Sequence, residues 1–174
     1  MQDKIIEIKN LTKSFPGVKA LKNVSFDIFR NSVHCIVGEN GAGKSTFIKI
    51  LTGALKRSEG TIIYDGRDFS PNSTKDAMNA GMSVLYQELN VVEQLTVEQN
   101  LTLGIEKKTL GFIKKSTGIG KAYDVLRSMD RSIALNQLAS ALSTAQKQLI
   151  EITKAITADA NIIVMDEPTA SLTE

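Results

Sequence analysis

Gly38-Glu39-Asn40-Gly41-Ala42-Gly43-Lys44-Ser45-Thr46 is the stretch that decides the fold. It matches the pattern G-x-x-x-x-G-K-[ST] of a phosphate-binding loop. The apolar run before it, Val33-His34-Cys35-Ile36-Val37, predicts a strand. The stretch after it, Phe47-Ile48-Lys49-Ile50-Leu51, predicts a helix. Glycines at 38, 41 and 43 keep Cβ atoms out of the way, so backbone N–H groups can turn inward around phosphate oxygens. The helix that follows points its positive end at the same anion. Lys44 is placed to reach the β- and γ-phosphates, and the Ser45 hydroxyl to ligate Mg²⁺. The plain alternative is a Gly-rich turn with an incidental lysine; the complete pattern in a strand–loop–helix setting argues against it.

With 174 residues the chain can build one domain around a real core. It is 42% hydrophobic and 23% charged, within the range of soluble globular proteins. Its 21 basic and 19 acidic side chains leave a net charge of +2, too little by itself to mark a nucleic-acid footprint. The single cysteine, Cys35, has no partner for an internal disulfide, and its apolar surroundings suggest a small core residue. With His34 the only histidine, a metal site of several His ligands is excluded. No signal peptide is visible at the amino end, and no apolar stretch approaches the roughly 18 residues that would span a bilayer. A membrane role is therefore expected to come through a partner.

Ile5 to Lys9 reads as a strand, Thr12 to Gly17 as a turn, and Asn23 to Phe29 as a half-buried strand by its alternation. Amphipathic strands followed by the buried run 33–37 predict a mixed sheet. Past the loop helix, Ser58-Glu59-Gly60 is a turn, Thr61 to Tyr64 a strand, and Asp65-Gly66 a hairpin dipeptide. Ser73 to Ala80 is a short helix ended by Gly81, and Ser83 to Tyr86 an apolar strand with Gln87 at its carboxyl end. From Glu88 to Leu142 the chain becomes mostly helical, with a capped helix start at Thr96 and helical spacing from Ile119 to Met129. Ser143 to Ala158 predicts a helix whose apolar face holds Ile150, Ile152, Ala155 and Ile156. Ile162 to Met165 is a buried-type strand that ends in Asp166-Glu167-Pro168.

A carboxylate at the tip of a buried strand can hold Mg²⁺ directly or through water, which is the reading for Asp166. Glu167 beside it would face the γ-phosphate and orient or deprotonate the attacking water. An acidic pair that merely ends a strand is the bland alternative, weakened here by the phosphate loop. Gln87 could sense γ-phosphate or Mg²⁺ through its amide, or be only a polar exit residue. Phe15, next to a Pro-Gly turn, could stack on a purine ring or serve as a packing residue; spacing leaves both open.

Five segments in order resemble the ATP-binding subunits of ABC transporters: Lys13 to Leu21, Gly38 to Thr46, Tyr86 to Asn90, Leu142 to Gln146, and Met165 to Thr173. The likeness covers nearly the whole chain and is strongest to the amino-terminal half of double-domain ATPases of monosaccharide importers, ribose or galactose type. It implies an α/β phosphate-loop NTPase of the ABC type, with a mixed core sheet, an antiparallel β subdomain and a helical insert. Residues 1–87 and 143–174 would form the ATP-binding core of one partial domain, and residues 88–142 the helical subdomain. Phe15 would stack on adenine, and Gly38, Glu39, Asn40, Gly41, Ala42, Gly43, Lys44, Ser45 and Thr46 would grip ATP. Ser45, Gln87 and Asp166 would lie at Mg²⁺, with Glu167 as catalytic base. Ser143 and its neighbours would complete the site of a facing ATPase domain, and Ser171 to Thr173 would lie at the contact between domains. The partners implied are membrane-spanning permease subunits, that second domain and, indirectly, a periplasmic or extracellular sugar-binding protein, with no nucleic acid. The place implied is the cytoplasmic face of the membrane.

Two departures stand out. Where the family signature has two glycines after Leu-Ser, this chain has Thr144 and Ala145, whose side chains crowd the approach to their amides. The chain also stops at Glu174, before the family's switch histidine, whose strand lies between the phosphate-loop strand and the Asp166 strand. The expectation is an incomplete central sheet, closed by a shift of the 162–165 strand or by another chain, and weak or no ATP hydrolysis. Other readings are a soluble ABC-type ATPase acting on ribosomes or DNA, a phosphotransferase of the phosphate-loop class, and a module whose ATP occupancy only drives association.

Overall fold

The computed structural model describes residues 3–85, 89–103, 108–109, 112–113, 119–158 and 160–166. The chain divides into two compact units, Met1–Met82 and Ser83–Glu174.

The first unit is built on a four-stranded antiparallel sheet. Its strands are β1 (Lys4–Phe15), β2 (Val18–Phe29), β3 (Glu59–Tyr64) and β4 (Arg67–Asp68), in the order β2-β1-β3-β4. Pro16-Gly17 joins β1 to β2, so the expected turn over 12–17 shrinks to its last two residues and the strands run longer than their alternation suggested. The reason lies in pairing: β2 stays paired with β1 as far as Phe15, which holds polar residues such as Lys13 and Ser14 in the ladder. Ile6, Ile8, Leu11 and Ile62 are fully buried in this sheet. Helix α1 (Lys44–Leu51) follows the phosphate loop and buries Phe47, Ile48, Ile50 and Leu51. Helix α2 (Thr74–Asn79) is capped by Ser73, whose hydroxyl accepts from the Asp76 amide.

The run 33–37 departs from expectation. It forms no strand, and all five residues are exposed, Val33 and Val37 by more than nine-tenths. Cys35 is exposed too, not a core residue. A buried strand needs ladder partners for its amides and carbonyls, and among the described residues no strand pairs with this run; the 162–165 strand pairs elsewhere. A stack of rings anchors the run instead: His34 lies on Phe26 at 5.3 Å, nearly parallel, and Phe26 meets Phe47 of α1 at 5.3 Å.

The second unit is mainly helical. It holds α3 (Val97–Thr102), the short antiparallel strands β6 (Lys108–Thr109) and β7 (Phe112–Ile113), α4 (Ile119–Met129) and α5 (Thr144–Thr157). Strand β5 (Met82–Leu85) pairs with β8 (Ile162–Met165). Val97, Leu101, Ala122, Leu126, Ile133, Leu142 and Ile150 form its core. The buried face of α5 is Ile150, Thr153 and Ala155; Ile156, expected on that face, is 42% exposed. Thr153 fits the core because its hydroxyl donates to the Leu149 carbonyl at 2.7 Å. Among the described residues no helix is long and apolar enough to cross a membrane.

Candidate phosphate-binding site

The loop 38–46 turns sharply into α1. The Ala42 amide donates to the Glu39 carbonyl at 3.1 Å, and the Phe47 amide to the Gly43 carbonyl at 2.9 Å. Gly43 is the N-cap, at φ 94°, and no side chain caps this helix. A Cβ at Gly43 would stand 2.4 Å from the Ala20 carbonyl oxygen and 2.9 Å from the Leu21 side chain, so only glycine fits. Lys44 Nζ folds back across the loop and donates to the carbonyls of Gly38 at 2.7 Å and Glu39 at 3.0 Å. Ser45 is the second residue of α1. An uncapped helix start, a left-handed glycine and an ammonium over the loop together fit a phosphate group.

Phe15 belongs to the same unit. It closes the β1–β2 hairpin opposite Val18, and Lys13 pairs with Leu21, the residue that abuts Gly43. The hairpin end and the loop are thus tied to one strand pair. Phe15 is 39% exposed, and Lys13 Nζ lies 5.0 Å from its ring centroid. A hollow of about 570 Å³ elsewhere in this unit is lined by Asn10, Thr12, Lys19, Lys22, Asn23, Glu59 and Gly60, and none of the loop residues lines it.

The other candidate residues fall in the second unit. Asp166 directly follows β8, and its amide donates to the Leu85 carbonyl at 3.0 Å, which extends the pairing with β5. Gln87, Glu167 and the segment 171–173 lie outside the described residues. Ser143 caps α5: its hydroxyl accepts from the Gln146 amide at 3.2 Å, and the Gln146 side-chain oxygen accepts from the Ser143 amide at 3.1 Å. Thr144 and Ala145 are exposed.

Two features went unread in the sequence. The Gln146 side-chain NH₂ donates to Asp130 at 3.1 Å and to the Ser132 hydroxyl at 3.2 Å. The Ser132 hydroxyl and amide both donate to Asp130, and these bonds hold its carboxyl below the usual range. The capping spacing Ser-x-x-Gln and the turn pattern Asp-x-Ser were the available signals. Lys13 was the other; its spacing of two from Phe15 on one strand was the clue.

A lysine-bearing loop opening onto a helix, beside an antiparallel sheet, defines a phosphate-loop nucleotide-binding protein. The family model for ABC transporters matches residues 21–170, and the chain belongs to that family. It is 45% identical over 172 residues to the arabinose import ATP-binding protein AraG of Mannheimia succiniciproducens, covering 99% of this chain and 34% of that one. It is 44% identical over 172 residues to the ribose import ATP-binding protein RbsA of Clostridium perfringens, covering 98% and 34%. The galactose/methyl galactoside import ATP-binding protein MglA of Sodalis glossinidius is 42% identical over 170 residues, with 98% and 34% covered. This chain thus spans about a third of the length of these relatives. The fold resembles the ADP conformation of MJ1267, an ATP-binding cassette of an ABC transporter, with a TM-score of 0.83 and 30% identity over 96% of this chain and 70% of that one. The fold is accordingly that of an ABC ATPase.

Proposed function

We propose that this chain binds ATP with Mg²⁺ and forms part of an ATPase that energises monosaccharide import through a membrane permease. The observation that carries the reading is Gly43, a left-handed helix cap whose geometry and neighbours admit no side chain, with the Lys44 ammonium folded over the same loop. Lys44 would exchange its bonds to the Gly38 and Glu39 carbonyls for phosphate oxygens, at small cost, since both states satisfy the ammonium. Phe15 would take the adenine on its exposed ring.

Ser45 and Asp166 are oxygen donors suited to Mg²⁺, with Gln87 as a third. The ion, when bound, neutralises phosphate charge and fixes the γ-phosphate. Glu167 would take the proton of the attacking water. In this reading 1–87 and 143–174 make the ATP-binding core and 88–142 the helical part that meets the permease. Ser143 would serve the site of a second ATPase domain. The names of the relatives, which speak of arabinose, ribose and galactose import, support a sugar as cargo. A sugar-binding protein outside the membrane would supply it, with this chain peripheral on the cytoplasmic face.

The test is an equilibrium titration of the chain with fluorescent ATP, with and without Mg²⁺. Lys44→Ala removes a charge-assisted contact of about 1.5–3 kcal/mol, so affinity should fall about 10- to 150-fold. Undiminished uptake by the alanine variant would refute the reading.

A further inference from the structure

The ammonium of Lys13 stands 5.0 Å from the centre of the Phe15 ring. Among the described residues no ion pair includes Lys13. The ring is therefore its described partner, through attraction between the cation and the negative face of the ring. Phe15 would otherwise be loosely held, at a hairpin end and 39% exposed. A ring has two faces; the lysine covers one.

The same hairpin reaches the phosphate loop. Lys13 pairs with Leu21 and Phe15 with Val18, while Leu21 and the Ala20 carbonyl pack on Gly43. A shift of the ring is thus a shift relative to the loop's own anchor.

We propose that Lys13 is a positioning residue for the nucleobase: it holds the Phe15 ring by one face and leaves the other for a purine. This rests on the nucleotide reading above and adds a determinant of base recognition to it. Two physical effects act together. A ring already held gives up less freedom when the base arrives. A cation on one face draws electron density away from the other, which eases stacking with the π-cloud of a purine. The phosphates are gripped elsewhere, so Lys13 distinguishes a nucleotide from a bare polyphosphate.

The experiment is a titration of the full chain with Mg²⁺-ATP and, separately, with Mg²⁺-tripolyphosphate. The proteins compared are the wild type, Lys13→Met, Lys13→Arg, Phe15→Leu and the Lys13→Met/Phe15→Leu double variant. Methionine keeps an apolar stem without the charge, and Lys13 is on a paired strand with its side chain partly exposed, so folding is checked by the melting curve. Lys13→Met should weaken ATP about 2- to 5-fold and leave tripolyphosphate unchanged. Lys13→Arg should retain wild-type affinity for ATP, and Lys13→Met should add nothing once Phe15 is leucine. Equal weakening of both ligands would make Lys13 a phosphate contact and overturn the inference. So would an unchanged ATP affinity, or the same loss in the Phe15→Leu background. A wild type that binds tripolyphosphate as tightly as ATP overturns this inference alone; one that binds neither overturns the nucleotide reading with it.

Discussion

A methyl group on Gly43 would collide with the Ala20 carbonyl oxygen at 2.4 Å and would need a left-handed backbone that alanine resists. Gly41 has a similar φ, 83°, but open space around it. The two positions are alike in the motif and unlike in the structure. Gly43→Ala should therefore destabilise the chain by about 1–3 kcal/mol from the backbone alone, with more from the clash. Gly41→Ala should cost about 1–2 kcal/mol. Urea midpoints of the two variants separate these outcomes, and equal values would contradict the steric account. The lysine and serine were legible from the pattern. Which glycine is sterically required was not, because the obstacle belongs to a residue 23 positions earlier, on β2.

At the scale of elements, Asn100 shows how a polar side chain can build a core. It is 1% exposed, lies on α3 and satisfies the loop before it. Its oxygen accepts from the Val92 amide at 2.8 Å, while its NH₂ donates to the carbonyls of Val92 and Thr96, each at 3.0 Å. Asn100→Leu would leave the Val92 amide unpaired, at about 1–3 kcal/mol if it stays dry, while the Val92 and Thr96 carbonyls keep the backbone amides of Leu95 and Asn100. A loss of about 1–3 kcal/mol in unfolding free energy from urea titration is expected, and a loss under about 0.5 kcal/mol would show that water repairs the gap. Helix α5 was readable from the period of its apolar face, while its Ser-x-x-Gln cap went unread. The run 33–37 was misread because five apolar residues state a preference for a strand but supply no partner. A ladder comes from other segments, and without one the run lies exposed beside its ring stack.

At the scale of the whole molecule, two ionisable groups among the described residues link stability to pH. Asp130 is held below its ordinary 3.8 by hydrogen bonds from Ser132 and Gln146. Its folded form thus binds fewer protons than its unfolded form, and its contribution is present above that value and lost as pH falls below it. Lys4 is raised above its ordinary 10.5 by Asp27, so its contribution holds below 10.5 and is lost as pH climbs through the raised value. Wild type and Asp130→Asn should therefore differ in urea midpoint at pH 7, and the difference should shrink as pH falls below 3.8. A constant difference across that range would remove Asp130 as the cause.

By itself the sequence determined the class of protein, because a phosphate loop needs particular residues at particular spacings and those are local. It also determined α1, α5 and the β1–β2 hairpin, whose periods and turn residues lie within a few positions. Only the tertiary structure decided that Gly43 is obligatory, that Lys13 lies over Phe15, that Asp130 is tied to Gln146, and that 33–37 stands exposed. Each of these depends on groups distant in the chain or on a pairing partner, and contacts of that kind leave no local pattern to read.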